Sequence, residues 1–242
     1  MDSIKNLIKT ILHDVFGLDV RRVKYIPISE APEVALQRLG VDLVLDVGAN
    51  QGQFASGLRR RGYAGRIVSF EPLSSAHKAL LHASSGDAMW DVFPRCALGE
   101  REGEVEINIA GNSESSSLLP MLESHRSAAP ESAYLGKESV KLMTLDKAAE
   151  HYLKNARSTF LKIDTQGFEW QVLDGARATL PHVKGILLEL SLVQLYEGQH
   201  LWQEVVARLE AEGFTLWAFT PVFSDPDSRR MLQMDGLFYR TA

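Results

Sequence analysis

The sequence predicts an α/β fold: a Rossmann-like open sheet, mostly parallel, with an antiparallel C-terminal strand. Three observations lead there. From Val41 onward, short apolar runs alternate with helix-period segments, the pattern of successive βα units. The first apolar run ends in a glycine-containing turn, Asp46 to Gly52, that opens directly into a helical pattern. The last two apolar runs, Phe214 to Phe219 and Gly236 to Arg240, have no helix-length pattern between them, so they pair antiparallel through a Pro221 to Arg230 loop.

Ile4, Leu7, Ile8, Ile11, Leu12, Val15 and Phe16 recur at helical spacing and predict an amphipathic helix. With a connector punctuated by Pro27 and Pro32, it forms an N-terminal unit over residues 1–40, ahead of one catalytic domain over residues 41–242. The helix packs on that domain or on a second subunit, which leaves a homo-oligomer open. Strand Val41 to Val47 is followed by helix Gln53 to Arg61, strand Arg66 to Phe70, helix Ser74 to Ala83 and a strand around Trp90 to Ala97. Glu104 to Ala110 alternates charged and apolar residues, so it extends the sheet or forms a hairpin with one wet face. Gly111 to Lys137, rich in Ser and Glu, reads as a long irregular segment and hence as a lid. The second half continues with helix Thr144 to Leu153, strand Thr159 to Ile163, helix Phe168 to Leu180 and strand Gly185 to Leu190. A helix through Leu201 to Leu209 then stops at Gly213.

With 242 residues, 45% of them hydrophobic, the chain can bury a substantial core. Its formal charge of −5 gives no footprint for a polyanion, so nucleic acid is not expected as a partner. Arg59, Arg60 and Arg61 end a helix, where they suit the negative end of its dipole. The single cysteine, Cys96, excludes an intrachain disulfide framework and a thiolate zinc cluster, and fits a reducing, cytoplasmic setting. No run reaches the roughly 18 to 20 apolar residues of a membrane span, and no secretory signal pattern opens the chain, so stable membrane insertion is not expected.

The turn carrying Asp46, Gly48, Asn50 and Gly52 sits where an open α/β sheet forms its ligand crevice. A dinucleotide fingerprint requires glycine at positions 48, 50 and 53, and this chain has Gly48, Asn50 and Gln53. Asp46 beside the turn would repel a pyrophosphate and favour a cationic ligand. Glu71, ending the second strand, is placed to accept hydrogen bonds from ribose hydroxyls. Alone it reads as a solvated turn residue, but its conjunction with Asp46, Gly48 and Gly52 implies a nucleoside with a positively charged group.

These motifs, together with Ala97 to Gly99, Ser115 to Leu118, Leu161 to Glu169, Leu188 to Leu190 and Leu195 to Gly198, resemble those of the FkbM-type methyltransferases over residues 41 to 240. The resemblance implies a class I methyltransferase sheet and S-adenosylmethionine as cofactor. It also implies O-methylation of a small-molecule or carbohydrate acceptor, such as a glycolipid or another secondary metabolite. Family members often carry Glu where this chain has Gln166. Cofactor contacts are expected from Asp46, Gly48, Asn50, Gly52, Glu71, Ser116 and Asp164.

Methyl transfer to an alcohol is an in-line displacement in which the hydroxyl must also lose a proton. Asp164, Glu189 and His200 are the catalytic candidates, each at or just past a strand end. Against this, Asp164 could be a helix N-cap, His200 a solvated helix residue, and Glu169 a structural acid near a helix start. A divalent metal would need Asp164 and Glu189 to converge, which spacing does not establish, so none is assigned. A nucleotide-dependent oxidoreductase and a non-catalytic cofactor-binding protein on the same fold are the alternatives.

Overall fold

A computed structural model describes residues 31–241. The helix expected over Ile4 to Phe16 lies outside the described residues. In chain order the elements are α1 (Pro32–Arg38), β1 (Leu43–Val47), α2 (Gln53–Arg60), β2 (Arg66–Phe70), α3 (Ser74–Ala83), β3 (Trp90–Val92), β4 (Ala97–Leu98) and β5 (Gly103–Ala110). Then come α4 (Glu123–Ala128), β6 (Tyr134–Met143), α5 (Leu145–Leu153), β7 (Thr159–Ile163), α6 (Glu169–Asp174), β8 (Val183–Ser191), α7 (Trp202–Ala211), β9 (Phe214–Ser224) and β10 (Met231–Arg240).

Seven strands form one sheet in the order β3-β2-β1-β7-β8-β10-β9. The pairs from β3 to β8 are parallel, and β10 runs antiparallel to both β8 and β9. Strands covered on both faces read as continuous apolar runs, and β1 is buried at all five positions. Alternation then sorts the side chains. Leu43, Leu45, Val47, Leu161 and Ile163 face a layer built by Leu145 of α5, Val172 and Leu173 of α6, and Val205 and Leu209 of α7. Val44, Ile67 and Phe160 face the opposite layer, where α1 contributes Leu36, α2 Ala55 and Leu58, and α3 Leu80. Each such aliphatic or aromatic side chain stabilises by roughly 1.5 to 3 kcal/mol when fully buried, so these two layers hold the strands in place.

Several elements differ from the sequence expectation. The strand expected over Trp90 to Ala97 is two strands, because Pro94 cannot donate to a ladder. β3 edges the large sheet, while β4 pairs with Leu142 and Met143 of β6 in a second sheet of order β4-β6-β5. Glu104 to Ala110 does form an antiparallel pair, but with β6, which the sequence did not announce. Only Val140, Leu142 and Met143 of β6 are buried, and its first residues are largely exposed. The segment from Gly111 to Lys137 is therefore not irregular throughout: it holds α4, a 3-10 turn at Pro130–Ser132 and the start of β6. The helix expected over Phe168 to Leu180 ends at Asp174. There Gly175 packs so closely that a Cβ would lie 2.0 Å from the Gly99 carbonyl oxygen. The final hairpin is longer than expected and its loop shorter, with Asp225 closing residues 225–230 by accepting the Ser228 N–H at 2.6 Å.

Candidate active site

Strand register places the polar residues in two rows on the sheet face covered by α1, α2 and α3. Asp46 pairs with Ser69 on one side and Lys162 on the other, which defines the first row. The next same-face positions are Glu71, Gly48, Asp164 and Glu189, each one residue beyond the pairs Val47 with Phe70, Val47 with Ile163, and Ile163 with Leu188. Asp235 of β10 continues that row opposite Glu189. The second row lies at the carboxyl ends of the parallel strands, where open α/β sheets bind ligands.

The first row is closed on itself. Asp46 is fully buried. Its Oδ2 accepts the Ser69 hydroxyl at 3.1 Å, and its Oδ1 lies 3.3 Å from Lys162 Nζ as an ion pair. Lys162 Nζ donates to the Gly48 carbonyl at 2.8 Å and lies 3.6 Å from Asp164 Oδ2. Burial pulls the ammonium's pKa down, but the carboxylates of Asp46 and Asp164 outweigh it and the net shift is upward. The charge of Asp46, expected to face a cationic ligand, is met from within the protein by Lys162 beneath the turn. Asp46 does not line the crevice.

Gly48 and Gly52 both have positive φ, at 71° and 89°. A Cβ on Gly48 would lie 1.8 Å from the Asp164 carbonyl oxygen, and one on Gly52 would lie 2.9 Å from the Trp90 indole. The glycines thus let the turn approach the protein's own β7 and β3. Asn50, at φ 46°, offers its backbone N–H to Glu71 Oε2 at 2.7 Å, and Glu71 Oε1 accepts the Leu73 N–H at 2.8 Å. Burial pushes the Glu71 carboxyl up to about 7 against those two hydrogen bonds. Each of its oxygens retains a second lone pair.

In the second row Asp164 and Glu189 converge. One amide nitrogen, Gln166 Nε2, donates to Asp164 Oδ1 at 2.9 Å and to Glu189 Oε2 at 3.0 Å. Gln233 Nε2 adds a 2.6 Å hydrogen bond to the same Glu189 oxygen. The buried Tyr196 hydroxyl lies 2.9 Å from Gln166 Oε1 and 3.1 Å from the Ser115 carbonyl. Enclosure, followed by the charges of Asp164, Glu169 and Asp235, raises Glu189 well above the usual carboxylate range. Asp164 is not a helix cap, since α6 has Phe168 at that position and no side-chain cap. Glu169 instead fastens the preceding turn, accepting the backbone N–H groups of Thr165 at 3.0 Å and Gly167 at 3.1 Å.

The serine segment closes one side. Ser116 Oγ accepts the Ala110 N–H at 2.9 Å, and Ser117 Oγ donates to the Gln166 carbonyl at 2.7 Å. His200 is not brought to the site: its ring stacks on Trp170 at 4.0 Å, with Nδ1 3.4 Å from Glu204. Sequence reasoning passed over Lys162, Tyr196, Gln233 and Asp235 as site residues, and noted Gln166 only as a departure from the family's Glu. A lysine inside an otherwise apolar strand was the available signal for Lys162.

Gly48, Asn50, Glu71, Ser116, Asp164, Glu189 and Asp235 line a cavity of about 380 Å³, within the roughly 300 to 1,000 Å³ usual for small-molecule sites. Among the described residues, no group of three or more His, Cys, Asp or Glu side chains is arranged to hold a metal ion. Strand order, crevice and acid-flanked glycine turn define a class I methyltransferase-like protein. Residues 46–216 match the methyltransferase FkbM domain, and the chain belongs to that family of S-adenosylmethionine-dependent methyltransferases. The oxidoreductase alternative falls with that match. No curated protein sequence matches the chain.

Among solved structures, the chain is similar to TehB from Haemophilus influenzae, with 9% identity over 96% of this chain and 67% of that one, and a TM-score of 0.46. It is similar to precorrin-6y C5,15-methyltransferase from Geobacter metallireducens, with 13% identity over 91% and 93% of the two chains and a TM-score of 0.44. Fibrillarin from Aeropyrum pernix, in complex with natively bound S-adenosylmethionine, gives 12% identity over 81% and 66%, with a TM-score of 0.41. The residues present fit the cofactor. Asn50 Oδ1 is buried at the cavity wall with no partner among the described residues, an acceptor suited to an ammonium, and Glu71 has lone pairs for ribose hydroxyls.

Proposed function

We propose that this methyltransferase is an O-methyltransferase acting on a hydroxyl of a small molecule, a sugar or a glycolipid-type secondary metabolite. The observation that carries the reading is the convergence of Asp164 and Glu189 at the crevice floor, held by one Gln166 amide. Carboxylates accept hydrogen bonds from hydroxyls, and a fixed pair of them orients an alcohol for in-line attack. The cofactor, when bound, supplies an electrophilic methyl group on a sulfonium.

In this reading the turn from Gly48 to Gly52 and Asn50 hold the cofactor's amino-acid end, Glu71 holds its ribose, and Ser116 closes over it. Asp164 faces both the methyl group and the acceptor. Positioning supplies much of the rate, and a base within about 2.6 to 3.2 Å of the hydroxyl assists. The catalytic unit spans residues 41–242 and works in the cytoplasm on an acceptor other than nucleic acid, as a monomer or a homo-oligomer. Among the described residues, no helix is long and apolar enough to cross a membrane.

The test is incubation of the purified protein with methyl-labelled S-adenosylmethionine and an extract of the producing cell, followed by mild base. A methyl ether keeps its label, whereas a methyl ester releases it as methanol. Label found on nitrogen or carbon would sink the O-methylation reading, and label in an ester would sink the hydroxyl acceptor.

A further inference from the structure

Three carboxylates stand side by side in the second row, but their surroundings are unequal. Asp164 and Glu189 each have an oxygen committed to Gln166, and Glu189 accepts from Gln233 as well. Gln166 is itself locked, by Tyr196 at its Oε1 and by a backbone φ of 54°. Asp235 is different. It is half-buried and lines the cavity, yet no group among the described residues donates a hydrogen bond to it. A carboxylate that faces a ligand cavity with neither oxygen committed to a protein donor is free to accept a donor carried by the ligand.

We propose that Asp235 is the catalytic base of the reaction, receiving the acceptor hydroxyl's hydrogen bond and then its proton. The proposal rests on the O-methylation reading. In the step, the acceptor O–H bond breaks and its proton goes to an Asp235 oxygen. The new O–C bond forms while the C–S bond of the cofactor breaks, the electron pair leaving with sulfur as S-adenosylhomocysteine. The proton then passes to water.

The charges facing Asp235 suit that task. Glu189 lies directly opposite on β8, Asp164 and Lys162 come from β7, and the β9 partner is the uncharged Thr220. Burial, then the Asp164 charge, lifts Asp235 to about 6, with Lys162 pulling the other way. At neutral pH the group is ionised but still basic enough to take a proton. Glu189, raised by burial and by the neighbouring carboxylates, has its Oε2 already occupied by the Gln166 and Gln233 amides.

The binding arm of the test needs no acceptor. Sinefungin carries a protonated amine where the cofactor carries its methyl sulfonium, and S-adenosylhomocysteine carries no charge there. Calorimetry of both ligands from pH 5.5 to 8 should show wild-type protein preferring sinefungin less as pH falls through about 6. Asp235→Asn should lower sinefungin affinity about tenfold, leave S-adenosylhomocysteine affinity unchanged and flatten the pH profile, and Asp235→Glu should restore part of the preference. An equal loss for both ligands, or a preference abolished by Asp164→Asn but kept in Asp235→Asn, overturns the proposal. An ether product formed at the wild-type rate by Asp235→Asn also overturns it. A product that is not a methyl ether would instead remove the hydroxyl-methylation reading, independently of the binding result.

Discussion

Two rows of polar side chains cross the same face of the sheet one step apart, and they are satisfied on different terms. In the inner row Asp46, Ser69 and Lys162 answer one another, and Lys162 also ties down the Gly48 carbonyl. In the outer row Glu71, Asp164, Glu189 and Asp235 hold carboxylate oxygens beside the cavity, with fewer protein donors than lone pairs. Charge closed off inside the protein supports the fold, whereas charge left open at a strand end is available to a ligand.

The sharpest way to break that contrast is in the inner row. Lys162→Met leaves Asp46 buried and unpaired and should destabilise the protein by about 3 to 5 kcal/mol in urea denaturation. Adding Asp46→Leu should recover most of the loss. No recovery would mean that Lys162 acts through the turn carbonyls rather than through the ion pair.

In the outer row, Glu71→Ala should weaken S-adenosylhomocysteine binding by about 1.5 to 3 kcal/mol by calorimetry, with Glu71→Gln losing less. An unchanged dissociation constant would reduce Glu71 to a clasp for Asn50 and Leu73. Two carboxyls of this row and the buried Glu169 of α6 set a pH dependence. Burial raises Glu71 and Glu169 to about 7, and Asp235 to about 6. Carboxyls raised in the folded state contribute stability that is fully present below their unfolded pKa of about 4 and is lost as pH rises through their folded values. Cofactor-free protein should therefore gain stability from these groups as pH falls from about 7.5 to 5.5. Buried His125, whose pKa is lowered, works in the opposite sense, so the melting-temperature difference between wild type and Glu71→Gln isolates the effect. A difference that does not change with pH would show that Glu71 is ionised throughout.

The smallest effect is expected outside both rows. His200→Gln removes a ring stacked on Trp170 and should change stability by no more than about 0.5 kcal/mol, with cofactor affinity unchanged. A marked loss of cofactor binding would bring His200 back into the site.

The parallel sheet was legible because its strands are buried on both faces, so β1, β2 and β7 stand out as apolar runs ending in polar residues. β6 was not, since its apolar signal is confined to its last residues and its long exposed start imitates a loop. Asp164 and Glu71 could be picked out because they directly follow apolar runs, and Glu189 because it falls near the end of another. Asp235 could not, because the sequence places the strand start at Gly236, whereas β10 begins at Met231 and carries Asp235 opposite Glu189. The ion pair under the turn was hidden for another reason. Asp46 and Lys162 meet only through the lateral pairing of β1 with β7, which local periodicity does not encode.

That β10 lies between β8 and β9 has a consequence for the order of assembly. During synthesis β8 and β9 emerge first, with nothing yet between them to hydrogen-bond, and the gap is filled only when Met231–Arg240 leaves the ribosome. Parallel pairings such as β1 with β7 wait on long chain separations too, so the nascent domain spends time with open strand edges that are prone to aggregation. The crevice floor is completed by the same late insertion, so a partly synthesised domain would have its cofactor turn before the whole wall that faces the acceptor.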